Sequence, residues 1–375
     1  MVIPASDPLR RSAERDGSDL DDAAAFADLD SENVLGAVER FAEQCREAWA
    51  IGVAATSLPD ATDVSSMVVL GMGGSGVSGD VVQSVVEPRL PVPLRTIKGY
   101  GPLPEWIGRN TLLFAVSYSG DTEETIAAFT EALDRGARAV AISSGGRLGE
   151  LAAERGVAHV AIPSGLQPRA SLGYLMLPVL AVLEKVELIP PLGEDVDEAC
   201  AVVQALGRDC GRAVATADNP AKTVAAHLVG RIPFVYGAEG LAATAAYRFK
   251  CDLNEYGKVP AGWHRFPELN HNEIVGWDQL SELTQSCVAV MLRDVEEHPR
   301  IARRIEITKN LIEPHLAEVV QVRARGRSPL ARILSLVFVT QLAAIYVGLA
   351  NGVDPGPVET IQTLKRELAE GEGAP

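Results

Sequence analysis

Between about residues 65 and 165, short apolar runs alternate with stretches of helical periodicity. The runs at 67–70, 94–97, 112–116, 139–142 and 157–162 read as strands. Such alternation means a parallel sheet covered on both faces. A long apolar helix is predicted over 171–186, ending before Pro190-Pro191. A second unit begins near Thr216 and repeats the theme. It has a strand at 233–236, a turn Gly237-Ala-Glu-Gly240 and a helix at 241–254. Strands at 286–291 and 318–322 follow with a helix at 300–312 between them, and helices at 330–350 and 358–368 close the chain. Upstream, Val34, Leu35, Val38, Phe41, Ala42, Cys45, Ala48 and Trp49 recur at helical spacing. The chain therefore reads as α/β, with two similar doubly wound parallel-sheet domains (61–192 and 193–375) behind an N-terminal helical arm (1–60).

Composition narrows the function classes. The 375 residues are 47% hydrophobic and 22% charged, which suits a globular chain long enough for two cored domains. A net charge of −16 argues against nucleic acid as a partner, since phosphate backbones are bound by clustered Lys and Arg. Five scattered cysteines with no CxxC pair disfavour a disulfide framework and point to a reducing cytoplasm. Residues 1–30 carry Arg10, Arg11 and Arg15 but no apolar run, so no secretory leader is expected. The stretch 333–350 has transmembrane length, and is expected instead to be a core helix with no membrane partner.

Two turns carry the candidate chemistry. Gly71-Met-Gly-Gly-Ser-Gly76 follows the first strand, Ser117-Tyr-Ser-Gly-Asp-Thr-Glu-Glu-Thr125 follows the third, and each precedes a predicted helix. Small side chains, hydroxyls and helix N-termini at one sheet edge suit an anion, and a phosphate monoester best. Gly71, Gly73 and Gly76 also have dinucleotide-fingerprint spacing, which expects a carboxylate ending the second strand. Here that strand ends in Lys98-Gly-Tyr100, and the Gly-Lys-Ser/Thr of a Walker loop is absent. A purely structural glycine turn would leave the second hydroxyl-rich turn unexplained. Ser117, Ser119 and Thr122 can all face one anion once the chain turns into a helix. Glu123 and Glu124 then complement the helix dipole. Arg169 follows Pro168 in an apolar stretch and has no partner in sequence, so it faces a ligand or lies at a surface or domain boundary.

Gly73-Gly-Ser-Gly76 with Ser117-Tyr-Ser-Gly-Asp-Thr122 is similar to the sugar-phosphate motif of sugar isomerase (SIS) domains. Gln167-Pro-Arg-Ala170, Leu172-Gly-Tyr174, Asn254-Glu255, Phe266-Pro-Glu-Leu-Asn-His-Asn-Glu-Ile-Val-Gly276 and Leu364-Lys365 narrow the likeness. In order and spacing they resemble the bifunctional phosphoglucose/phosphomannose isomerase family, which has two SIS domains. The resemblance covers roughly residues 65–370.

The resemblance implies an aldose–ketose isomerase that needs no metal and no cofactor. It would interconvert glucose 6-phosphate and/or mannose 6-phosphate with fructose 6-phosphate through an enediol. Gly74, Ser75, Ser117, Ser119 and Thr122 would hold the phosphate. Glu255 would move the proton between C2 and C1, and Arg169 would stabilise the enediolate. His271 would open the sugar ring, reaching the site from the neighbouring subunit of a homodimer, with Lys365 as its partner. Read without the resemblance, Glu255 is a helix-end glutamate and Lys365 a solvated lysine. Asp121 stands where the family more often has Asn, the arm is long, and Tyr256-Gly257 (read as flexible) and Trp263-His264 look local to this chain. These departures bear on rate and substrate preference. The rival readings are a non-catalytic SIS sugar-phosphate sensor and a glucosamine 6-phosphate synthase. The first has no need of Glu255, Arg169, His271 and Lys365 together. The second expects a cysteine where this chain has Val2.

Overall fold

The computed structural model of the chain describes residues 20–279 and 281–371; residues 1–19 of the predicted arm and 372–375 of the second unit lie outside them. The arm's predicted helix at 34–50 breaks at Arg40. Two helices result, α2 (Val34–Glu39) and α3 (Phe41–Ala54), and a further one, α1 (Ala23–Leu29), precedes them. Asp30 accepts from the backbone N–H of Val34 (2.7 Å) and Leu35 (2.9 Å) and so starts α2.

The first sheet contains β1 (Ser66–Leu70), β2 (Leu94–Ile97), β3 (Thr111–Val116), β4 (Arg138–Ser143) and β5 (Ala158–Ala161). All pairs are parallel, in the order β2-β1-β3-β4-β5. Every residue of β1 and β3 is buried, as expected of central strands covered on both faces. Their crossovers include α4 (Gly73–Val86), α5 (Glu123–Asp134) and α6 (Gly146–Glu154); α7 (Leu172–Lys185) and α8 (Gly193–Cys210) then lead away from the sheet.

The second sheet repeats the winding. After α9 (Pro220–Leu228) come β6 (Ile232–Ala238), α10 (Leu241–Glu255), β7 (Gly262–Phe266), β8 (Cys287–Arg293), α11 (Pro299–Ile312) and β9 (Glu318–Arg323). The order β7-β6-β8-β9 is that of the first sheet without its fifth strand. Gly237 and Ala238 belong to β6, which narrows the predicted turn to Glu239-Gly240. Strand β7 was not predicted: Gly-Trp-His-Arg-Phe has little apolar character, and its edge position needs little.

Between the sheets lies one continuous core that takes in α3, α7, α8 and α12 (Pro329–Ala350). Helix α12 is long and apolar enough to cross a membrane, and it is buried throughout. Two of its hydroxyls bond within the helix: Thr340 donates to Leu336 O (2.8 Å) and Ser335 to Arg332 O (2.7 Å). The chain ends in α13 (Glu359–Gly371), on which Ile361, Leu364 and Leu368 stay exposed. All five cysteines are free.

Candidate active site

The two glycine–serine turns leave β1 and β3 side by side, where the strand order reverses and open α/β sheets bind ligands. Helix α4 starts at Gly73 (φ +51°) behind Met72, and α5 starts behind Thr122; neither cap residue places a side chain on the first-turn N–H groups. Two helix N-termini thus present free donors at one edge, a ready anion site. Ser75 Oγ accepts from Tyr118 N (3.3 Å) and so ties one turn to the other. Ser117 Oγ lies 2.8 Å from Thr122 Oγ1 and accepts from Gly120 N (3.1 Å). Ser119 is exposed and accepts from Asp121 N (3.2 Å). The unusual Asp121 carboxylate accepts from Arg147 N (2.8 Å) at the start of α6, so its charge serves a neighbouring helix N-terminus.

Gly74 joins this cradle to Arg169. A Cβ there would sit 2.8 Å from Pro168 O and 3.3 Å from Arg169 Cα, so only glycine lets the turns approach this closely. Arg169 is 4% exposed. Its Nη1 lies 3.8 Å from Glu255 Oε2, its Nη2 donates to Pro355 O (3.2 Å) and Gly356 O, and its Cζ lies 4.9 Å from the Tyr256 ring centroid. Nε has no protein partner. The Arg169 carbonyl accepts from Arg248 Nη2 and from Gln341 Nε2 (3.1 Å), while Gln167 Nε2 donates to Gly356 O (3.2 Å). The guanidinium is therefore held from three sides, with one buried donor still free.

Helix α10 delivers the carboxylate. Arg248, Asp252 and Glu255 fall at i, i+4 and i+7 on one face. The pair Arg248–Asp252 is fully buried at 2.9 Å, and burial outweighs Arg248 to push the Asp252 carboxyl up to about 7. Glu255 remains 28% exposed and reachable. Tyr256 corrects one expectation: it is buried, bonded to Gln341 (3.2 Å) and stacked on Arg169, hence a rigid part of the site. A cavity of about 480 Å³ opens beside Glu255, lined also by Asn254, Lys258, Asp354, Thr360 and Ile361. Lys258 donates to Glu255 O and Pro357 O, and burial and Arg169 lower its pKa.

The fold thus assembles the cradle, Arg169 and Glu255. It leaves two candidates outside that cavity lining. His271 sits exposed on the short turn Glu268–His271 after β7, and Lys365 sits exposed on α13. Asp252, Gln341 and Lys258 escaped the sequence reading. The Arg248-to-Asp252 spacing ahead of Glu255 was the one available signal. Among the described residues, no group of three or more His, Cys, Asp or Glu is placed to hold a metal.

The raised Asp252 carboxyl has a measurable consequence. The folded state keeps a proton that the unfolded state loses, so this group's stabilisation is full below about pH 4 and fades as pH rises through about 7. At roughly 1.4 kcal/mol per unit, the span is at most about 4 kcal/mol. Urea unfolding between pH 5 and 8 should show this decline in the wild type and a flatter profile in Asp252→Asn.

Two glycine–serine turns at the switch point of one doubly wound sheet, with Arg169 beside them and a carboxylate from the second such unit facing that arginine, are the arrangement of a double-SIS phosphosugar protein. A family model for the bacterial phospho-glucose isomerase C-terminal SIS domain matches residues 217–368. The C-terminal domain of glucosamine-fructose-6-phosphate aminotransferase from Francisella tularensis has the same fold, with a TM-score of 0.67 at 12% identity over 86% of this chain and 96% of that one. The bifunctional phosphoglucose/phosphomannose isomerase of Caldicellulosiruptor bescii is 37% identical over 328 residues, 88% of this chain and 96% of its own length. That of Aquifex aeolicus is 36% identical over 310 residues, 82% and 92% of the two chains. The chain belongs to the bifunctional phosphoglucose/phosphomannose isomerase family.

Proposed function

We propose that the protein interconverts glucose 6-phosphate and mannose 6-phosphate with fructose 6-phosphate through an enediol. The observation that carries this reading is the Glu255 carboxylate facing the Arg169 guanidinium at 3.8 Å beside the phosphate cradle. The phosphate, held by Ser75, Ser117, Ser119, Thr122 and the N–H groups around Gly74, fixes the reacting carbons by binding at a distance from them. The Glu255 carboxylate takes the C2 proton of the open-chain aldose. The electron pair moves into a C1–C2 double bond, and O1 becomes the oxyanion. Arg169 stabilises that charge with a guanidinium already desolvated and oriented. The hydroxyl proton on O2 then moves to O1 as the C2 carbonyl forms, and Glu255 returns its proton to C1. Planar C2 loses its configuration in the intermediate, so one site serves both aldoses.

Ring opening falls to His271 and Lys365. A second copy in a homodimer would bring its His271 to the Glu255 site, and the free thiols fit a reducing, cytoplasmic setting. The test is to incubate purified protein with fructose 6-phosphate and EDTA and follow the products by NMR. Both aldose 6-phosphates should accumulate. Binding without turnover would replace this reading with that of a sugar-phosphate sensor.

A further inference from the structure

Helix α11 buries Ile305, Thr308 and Ile312 in a small core of its own with Tyr236, Phe266, Leu269 and Trp277, on the side of the second sheet away from the main core. Along its flank Arg300, Arg303 and Arg304 surround a cavity of about 330 Å³ that Asn270, Ile274, Ile307 and Thr308 complete. Three cations in the first turns of a helix oppose the macrodipole, which favours acidic residues there. They are also conspicuous in a chain of net charge −16. Nearby arginines meet carboxylates: Arg293 pairs with Glu297 and Glu306, and Arg332 with Asp294 and Glu296. Among the described residues, Arg300, Arg303 and Arg304 pair with none, and Glu306, the one carboxylate within α11, is taken by Arg293. Asn270 adds a second observation. Its Nδ2 donates to Thr308 Oγ1 (2.7 Å), and its Oδ1 is buried without a partner. A hydroxyl accepts as well as donates, so a half-turn of the amide would put a buried N–H donor there instead.

We propose that this cavity is a second anion site, separate from the substrate cradle, which holds a small ligand of the phosphate or diphosphate class. Two or three guanidinium forks within one cavity suit the oxygens of such a ligand, each by paired N–H donors. Asn270 immediately precedes His271, and Ile274 lies three residues beyond it, so an occupied site fixes the segment that carries the ring-opening histidine. That effect on turnover rests on the role proposed above for His271; the binding itself does not.

Titration calorimetry of the full chain with inorganic pyrophosphate at low salt separates the two sites. The background is Ser119→Asp, which places a negative charge at the mouth of the substrate cradle. One pyrophosphate should still bind. Adding Arg303→Gln and Arg304→Gln, both at exposed positions, should weaken it roughly tenfold or more, and Arg303→Lys with Arg304→Lys should fall between. Arg300→Gln alone should give a smaller loss. Absence of binding in the Ser119→Asp background, or unchanged affinity in the glutamine pair, overturns the proposal. So does a change of mass by light scattering with unchanged affinity, because the arginines would then serve a contact between copies. None of these readouts depends on isomerase activity.

Discussion

Glu255→Gln is expected to lower kcat toward glucose 6-phosphate and mannose 6-phosphate alike by roughly a hundred- to ten-thousandfold, with KM little changed. The amide keeps the shape of the carboxylate and cannot take a proton. The cradle is untouched, since its bonds run among Ser75, Tyr118, Ser117, Gly120 and Thr122. Substrate binding should therefore survive while proton transfer fails, the signature of an interaction used only in the transition state. A common loss factor for both aldoses matters as much as its size, because one base serving one planar intermediate cannot favour either epimer. Activity within tenfold of wild type would remove Glu255 as the base. Unequal losses would mean that the two epimers are handled by different groups.

Mixing two inactive variants, His271→Ala and Glu255→Gln, is expected to restore activity. Within one copy the cavity beside Glu255 is not lined by His271, which sits exposed beyond the edge strand β7. In a two-fold dimer each site would draw Glu255 from one chain and His271 from its partner. Random reassortment would make half the dimers mixed, each with one intact site, so roughly a quarter of wild-type activity should return. The experiment needs co-refolding and a mass measurement confirming mixed dimers. Mixed dimers without activity would mean that His271 acts within its own chain, and full activity of His271→Ala alone would remove it from the reaction.

The parts legible in the sequence are those where local chemistry is decisive. β1, β3 and β8 stood out because strands buried on both faces must be apolar along most of their length. The cradle stood out because a phosphate needs glycine, hydroxyls and helix starts close together in the chain. β7 was missed because an edge strand gains its place from pairing with β6, which no local pattern encodes. Asp252 was missed because nothing in Arg-x-x-x-Asp tells a solvated helical pair from one fully buried.

By itself, then, the sequence determined the double α/β winding, the place of the two glycine–serine turns and, through its motifs, the family. Tertiary structure decided what the charged groups do. It turned Asp121 toward the N-terminus of α6, where its charge stabilises a helix, and made Tyr256 a rigid wall. It brought Arg169 to Glu255 from a different domain and left one buried N–H free beside the cradle. The reason is physical: a side chain's charge, reach and hydration depend on what surrounds it, and in this site those surroundings come from distant parts of the chain.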